Sequence, residues 1–138
     1  MNEYQLLENP TDSEIEIIHT TLASYNDAAV KRLEKYAFAI MARDDRQRFL
    51  GGIYCDITRK WLYIDELAIK PAARKQNIGS ELLTRAENIA RARDCHDAWL
   101  RTYSFQARPF YEKHGYSVFG TLDDFPEGHQ CYFMQKTL

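Results

Sequence analysis

Cysteine, proline and glycine are all scarce in this chain of 138 residues, with three, four and six copies. Cys55, Cys95 and Cys131 are odd in number and widely spaced, with no CxxC pair. That argues against a disulfide framework or a zinc site and fits a reducing compartment, so a cytoplasmic protein without a metal is expected. Charge of one sign is scarce too. The net charge is −2 and the basic residues are scattered, so nothing marks a nucleic-acid footprint. No apolar run approaches the ~20 residues that cross a membrane. Met1-Asn2-Glu3-Tyr4 lacks the basic start and apolar run of a signal peptide, and none is expected. No Gly-Lys-Ser/Thr is present, which excludes a phosphate-loop nucleotide enzyme. Repeats, low-complexity tracts and linkers are absent as well, so one domain over residues 1–138 is expected.

What is present is packing material: 45% hydrophobic residues, including nine Tyr and seven Phe. The chain is organised around one stretch. Trp61 to Ile69 is rich in aromatic and branched residues and reads as a strand. Pro71 must end it, because proline gives no ladder N–H and pushes Lys70 extended. A basic loop, Arg74-Lys75-Gln76-Asn77, leads into a helix at Ile78-Gly79-Ser80. That helix has an apolar stripe at Ile78, Leu82, Ala86 and Ile89, with Glu81–Arg85 and Glu87–Arg91 on its outer face. A glycine in the first turn of a helix that follows a basic loop suits a phosphate, since free N–H groups and the helix dipole favour an anion.

Around this unit the other elements follow in order. Glu3 to Leu7 reads as a short strand. Thr11-Asp12-Ser13-Glu14 is a capping box for a helix that breaks at Tyr25-Asn26-Asp27, with a second helical piece to about Lys35. Tyr36–Arg43 and Phe49–Ile57 are strands, the latter with Gly51-Gly52 marking a bulge or a close backbone approach. Asp97 to Tyr103 alternates two faces as a strand. Ser104 to His114 then forms a short helix stopped by Gly115. Tyr116–Leu122 and His129–Lys136 close the sheet as a hairpin. The order β-α-α-β-β-β-α-β-α-β-β is mixed α/β.

Two segments carry a family resemblance. Arg74-Lys75-Gln76-Asn77-Ile78-Gly79 resembles the acetyl-coenzyme A loop of the GNAT family of N-acetyltransferases, Arg/Gln-x-x-Gly-x-Gly/Ala. Asn77 stands where the family usually has its first glycine, and Asn is the other residue that tolerates a left-handed backbone. Phe110-Tyr111-Glu112-Lys113-His114-Gly115-Tyr116 is similar to the family's Phe-Tyr-x-Lys-x-Gly-Phe/Tyr segment. Thr102-Tyr103-Ser104-Phe105-Gln106-Ala107 and Phe125-Pro126-Glu127-Gly128-His129 flank it as in a bacterial branch of small members. The element order is that of the GNAT fold.

The resemblance implies acetyl-CoA as acyl donor and direct transfer to an amine in a ternary complex. It implies that the pantetheine arm lies in a gap between splayed parallel strands against Leu67, Ala68 and Ile69. It places the pyrophosphate on Arg74, Lys75, Gln76, Asn77, Ile78, Gly79 and Ser80, with Phe110 beside the cofactor. Tyr111 takes the family's general-acid position, and Ser104 that of a pantetheine-binding Asn. Glu66, or Asp65 next to it, is the expected base, only one of the two facing the site because strand neighbours alternate. Tyr25, Asn26, Asp65 and His129 are expected at the amine. Asp27, Asp123, Asp124 and Glu127 add acidity that favours a small cationic amine. A protein lysine or N-terminal amine as acceptor, and a non-catalytic acyl-CoA sensor module, stay open as alternatives. So does a homodimer.

Overall fold

The computed structural model describes residues 1–30 and 34–138. They fall into two compact units, Met1–Leu33 and Glu34–Leu138. In the first, the Thr11 hydroxyl accepts from the Glu14 N–H at 3.2 Å while the Glu14 carboxylate accepts from the Thr11 N–H at 3.0 Å. This is the capping box of helix α1 (Asp12–Ala29). α1 does not break at Tyr25-Asn26-Asp27. Ala28 and Ala29 are strong helix formers and carry it to Val30, whose N–H closes on the Asn26 carbonyl. The second helical piece expected up to Lys35 falls largely on residues 31–33, outside the described residues. The strand expected over Glu3–Leu7 is a correction: residues 1–7 carry no regular secondary structure. β-propensity measures fit to neighbouring strands and does not hold a segment extended alone.

The second unit contains β1 (Tyr36–Arg43), β2 (Phe49–Thr58), β3 (Trp61–Ile69), α2 (Ile78–Ala92), β4 (Asp97–Tyr103), α3 (Arg108–Lys113), β5 (Ser117–Asp123) and β6 (Gln130–Thr137). They build one mixed sheet in the order β1-β2-β3-β4-β6-β5. The β3–β4 pair is parallel and the other pairs are antiparallel. The mixed α/β architecture is therefore as expected. Leu82, Leu83, Ala86 and Ala90 of α2 pack on Ile53, Cys55, Leu62, Ile64, Ala98, Leu100 and Met134.

Two irregularities shape the centre of the sheet. β3 and β4 pair from Trp61↔Asp97 only as far as Ile64↔Leu100. β3 nevertheless stays with β2 to Ile69, and β4 stays with β6 to Tyr103. The two parallel strands thus splay. A bulge lies at the same point, where Tyr54 faces Glu66 and Cys55 faces Ile64, leaving Asp65 unpaired. The extra residue shifts the alternation, so Leu67 and Ile69 join Leu62 and Ile64 on the core side instead of Glu66 and Ala68. Gly51 supports this geometry. A Cβ there would stand 2.7 Å from Ile69 Cδ1 and 2.8 Å from the Ala68 carbonyl oxygen.

The outer face of α2 holds one correction. Glu81 and Arg85 pair at 2.8 Å on the exposed side. Glu87 is buried instead, 5% exposed. It accepts from the Tyr116 hydroxyl at 2.8 Å and from Lys136 Nζ at 2.9 and 3.0 Å, while Arg91 stands 3.9 Å away. A carboxylate at this depth persists because it is both charge-paired and hydrogen-bonded.

Candidate active site

The splay of β3 from β4 opens a groove of three joined chambers. One, of about 430 Å³, lies at the start of α2 among Ile69, Arg74, Lys75, Asn77, Gly79 and Ser80. The middle one, of about 590 Å³, runs between Leu67–Ile69 and Phe105, Gln106, Phe110 and Tyr111. The far one, of about 430 Å³, is lined by Asp65, Glu66, Arg101, Thr102, Gln106 and Tyr111. Ile69, Arg74, Gly79 and Phe110 belong to the first two, and Tyr111 with Gln106 to the last two.

The first chamber is built by local backbone chemistry. Lys75 and Asn77 are left-handed, at φ 66° and 61°. Asparagine thus does at 77 what glycine commonly does, and the chain turns sharply into the first turn of α2. Gly79 is different. Its φ is ordinary, and a Cβ would meet Phe110 at 3.4 Å, a normal contact. The fold does not require glycine there; its absent side chain keeps the helix N–H groups open to the chamber. With Arg74 and Lys75 alongside, the chamber has the chemistry that suits an anion. The Ser80 hydroxyl is 2.9 Å from His114 Nε2, which ties α2 to the end of α3. Ile78 faces both this chamber and a neighbouring cavity between β1 and α2, and Gln76 lines the latter with Arg43 and Arg85.

Tyr111 is 7% exposed, on α3, with Phe110 edge-on to it at 5.2 Å. Burial, reinforced by nearby Cys55, pushes its phenol up to about 12. It therefore keeps its proton at any physiological pH. Burial, then Glu87, raises Tyr116 further. Asp65 and Glu66 both line the far chamber, against the expectation that one would turn away, because the bulge at Asp65 interrupts the alternation.

Ser104, His129, Asp123 and Asp124 line none of the three chambers. The Ser104 hydroxyl accepts from the Gln130 N–H at 3.0 Å, and the Ser104 N–H donates to the Gln130 carbonyl at 2.8 Å, so this side chain extends the sheet edge. His129 meets Phe105 edge-on at 4.9 Å, one ring removed from the groove. Asp123 Oδ1 accepts from Gln130 Nε2 at 2.8 Å and Asp124 Oδ1 from the Gly128 N–H at 3.2 Å, so both pin the β5–β6 connection. Tyr25, Asn26 and Asp27 belong to α1 of the N-terminal unit. Gln106, Glu87 and Tyr116 had no expected part in the site. The signal for Gln106 was its place in Ser104-Phe105-Gln106-Ala107, directly before the helix that carries Tyr111.

A family model described as the acetyltransferase (GNAT) family matches residues 4–116. The chain belongs to the GNAT family of acetyltransferases. An acetyltransferase of Agrobacterium fabrum is 32% identical over 132 residues, 95% of this chain and 96% of that one. The blasticidin-S acetyltransferase of Streptomyces morookaense is 34% identical over 104 residues, 73% and 75% of the two chains. The crystal structure of an acetyltransferase from Bacillus cereus superposes with a TM-score of 0.90 at 31% identity, covering 97% of this chain and 98% of that one. For a GNAT protein the groove divides naturally: an anion cradle, an unpaired edge of β3, and an acidic end past Tyr111. Among the described residues no group of His, Cys, Asp or Glu could hold a metal ion, and no helix is long and apolar enough to cross a membrane.

Proposed function

We propose that this protein, acting as a single N-acetyltransferase domain, moves the acetyl group of acetyl-CoA to the primary amine of a small cationic molecule within a ternary complex. The observation that carries this is the position of Tyr111, whose buried, protonated phenol belongs to both the middle and the far chamber. The residues present suit the donor. Left-handed Lys75 and Asn77, the bare Gly79 and the α2 amides suit its pyrophosphate, and the edge of β3 from Leu67 to Ile69, free of β4, suits its amide arm. Acetyl-CoA brings an activated acyl group and a thiol leaving group. Tyr111 holds the proton that the departing sulfur takes. Glu66 removes a proton from the incoming ammonium, directly or through water, and Asp65 adds negative charge that holds the cation. The carboxylates that select the amine are thus Asp65 and Glu66. Asp123 and Asp124, engaged in their turn, are not.

A small acceptor is favoured by the far chamber's size and by likeness to a relative named for acetylating blasticidin S. The test is thiol release from acetyl-CoA across a panel of cationic, neutral and anionic amines. Cationic amines should give the highest kcat/KM, and that value should fall with salt while kcat holds, because added ions screen exposed carboxylates. Glu66→Gln should lower kcat/KM by about 10²-fold or more. Best turnover of a neutral amine, or undiminished activity in Glu66→Gln, would remove this assignment.

A further inference from the structure

We propose that the side-chain amide of Gln106 is a catalytic hydrogen-bond donor, placed to polarise the acyl carbonyl during transfer. The proposal rests on the acetyl-transfer reading above and adds a residue to it. Gln106 Oε1 accepts from the Tyr103 N–H at 2.9 Å and from the Thr102 hydroxyl at 3.3 Å. A backbone N–H can only donate, so the oxygen of the amide must face Tyr103 and the orientation of the group is settled by chemistry. The amide nitrogen is then turned the other way. It has no protein partner among the described residues, while Gln106 lines both the middle and the far chamber.

The two chambers share Leu67, Ala68, Gln106, Ala107 and Tyr111, and reacting atoms from donor and acceptor must meet there. Three of those side chains are apolar. Tyr111 has an ionisable proton and suits the sulfur. An amide N–H is not given up, so it suits an oxygen whose negative charge rises and then falls. As the C–N bond forms and the C–S bond breaks, the sulfur leaves with the bonding pair and takes the Tyr111 proton. The amine's proton goes to Glu66 or water. The carbonyl oxygen gains and returns an electron pair, and the Gln106 N–H bonds it throughout.

The side chain is also held ready. The Gln106 N–H donates to the Tyr103 carbonyl at 2.9 Å, so main chain and side chain of Gln106 clasp the same residue from both ends. These bonds fix the direction of an amide that is exposed in the ligand-free protein, so less freedom is lost when a bound donor covers it. Ser104 offers no substitute, since it lines none of the three chambers.

The acyl oxygen exists in acetyl-CoA and not in CoA, which gives a readout besides activity. Calorimetric titration of the amine-free protein should show Gln106→Met raising the Kd of acetyl-CoA about 3- to 10-fold, the scale of one neutral hydrogen bond, with the Kd of CoA unchanged. With an amine present, kcat should fall about 10²–10³-fold, as for loss of one oxyanion donor. Gln106→Glu keeps an oxygen for the Tyr103 N–H and removes the donor. It should fold with an unchanged Tm and show the same loss in kcat. Equal weakening of acetyl-CoA and CoA would put Gln106 on the amide arm instead and overturn the proposal. So would a raised KM for the amine alone, or an undiminished kcat. If the parent protein releases thiol with no amine tested, the acetyl-transfer reading fails by itself, while the two titrations still report whether Gln106 touches the acyl group.

Discussion

The Tyr116 hydroxyl donates to the Glu87 carboxylate over 2.8 Å, and the Tyr116 ring meets the Tyr111 ring edge-on at 5.9 Å. Glu87 comes from α2, Tyr116 from the turn before β5, and Lys136 from β6, so one buried ion pair ties three elements together behind Tyr111. Cys55, fully buried, completes the surroundings, and burial pushes its thiol up to about 12. It is an inert packing group. Tyr111 is thus backed by a buried, hydrogen-bonded wall and lines the groove on its other side.

Lys136→Met tests that wall. It leaves the Glu87 carboxylate buried with only Tyr116 as a close partner, and removing one member of a buried pair costs about 3 kcal/mol or more. Denaturant unfolding should show this loss. Adding Glu87→Gln, which can still accept from Tyr116, should recover much of it. Equal stability of Lys136→Met and the parent would mean that the pair contributes nothing to the fold.

Substitutions at Gly79 separate folding from binding. The Cβ fits at ordinary contact with Phe110, and alanine is the better helix former by about 0.5–1 kcal/mol. The ligand-free Gly79→Ala protein should therefore melt slightly higher. The family pattern allows alanine at this position, so that variant should keep its CoA shift. Gly79→Asp instead sets a carboxylate against the phosphates and should abolish the rise in Tm that CoA produces. A full CoA shift in a folded Gly79→Asp variant would move the phosphate elsewhere.

Tyr111 should reveal itself by titration. Its pKa is raised from 10.0 to about 12, chiefly by burial. An acid whose folded value is raised stabilises the fold fully below its unfolded value, and that contribution is lost as pH climbs from 10 towards 12. Tyr111→Phe should remove a late-titrating phenol from the ultraviolet titration of the folded protein. It should also flatten the decline of stability over that window. Its kcat should fall by about 10²–10⁴-fold with the KM for acetyl-CoA little changed. Loss of an ordinary phenol titrating near 10 would show that water reaches the ring.

The short-range features were legible from residue order: the capping box at Thr11 and Glu14, the stripe of α2, the stop at Pro71 and the left-handed turn at Asn77. Each depends on groups within about one turn of chain, and side-chain type determines them there. The basic loop was readable for the same reason, and the Tyr111 segment through its resemblance to the GNAT family. Tertiary structure decided the rest. Glu87 reads as an outer-face partner of Arg91 until Tyr116 and Lys136 arrive from 29 and 49 residues away. Ser104 reads as a ligand contact, and only the sheet shows that Gln130, 26 residues on, donates its N–H to that hydroxyl. Asp65 and Glu66 read as alternatives until the register against β2 inserts a bulge and turns both toward one chamber. A buried polar group goes where its desolvation is repaid by a partner, and partners brought together only by the closed sheet leave no periodicity in the sequence.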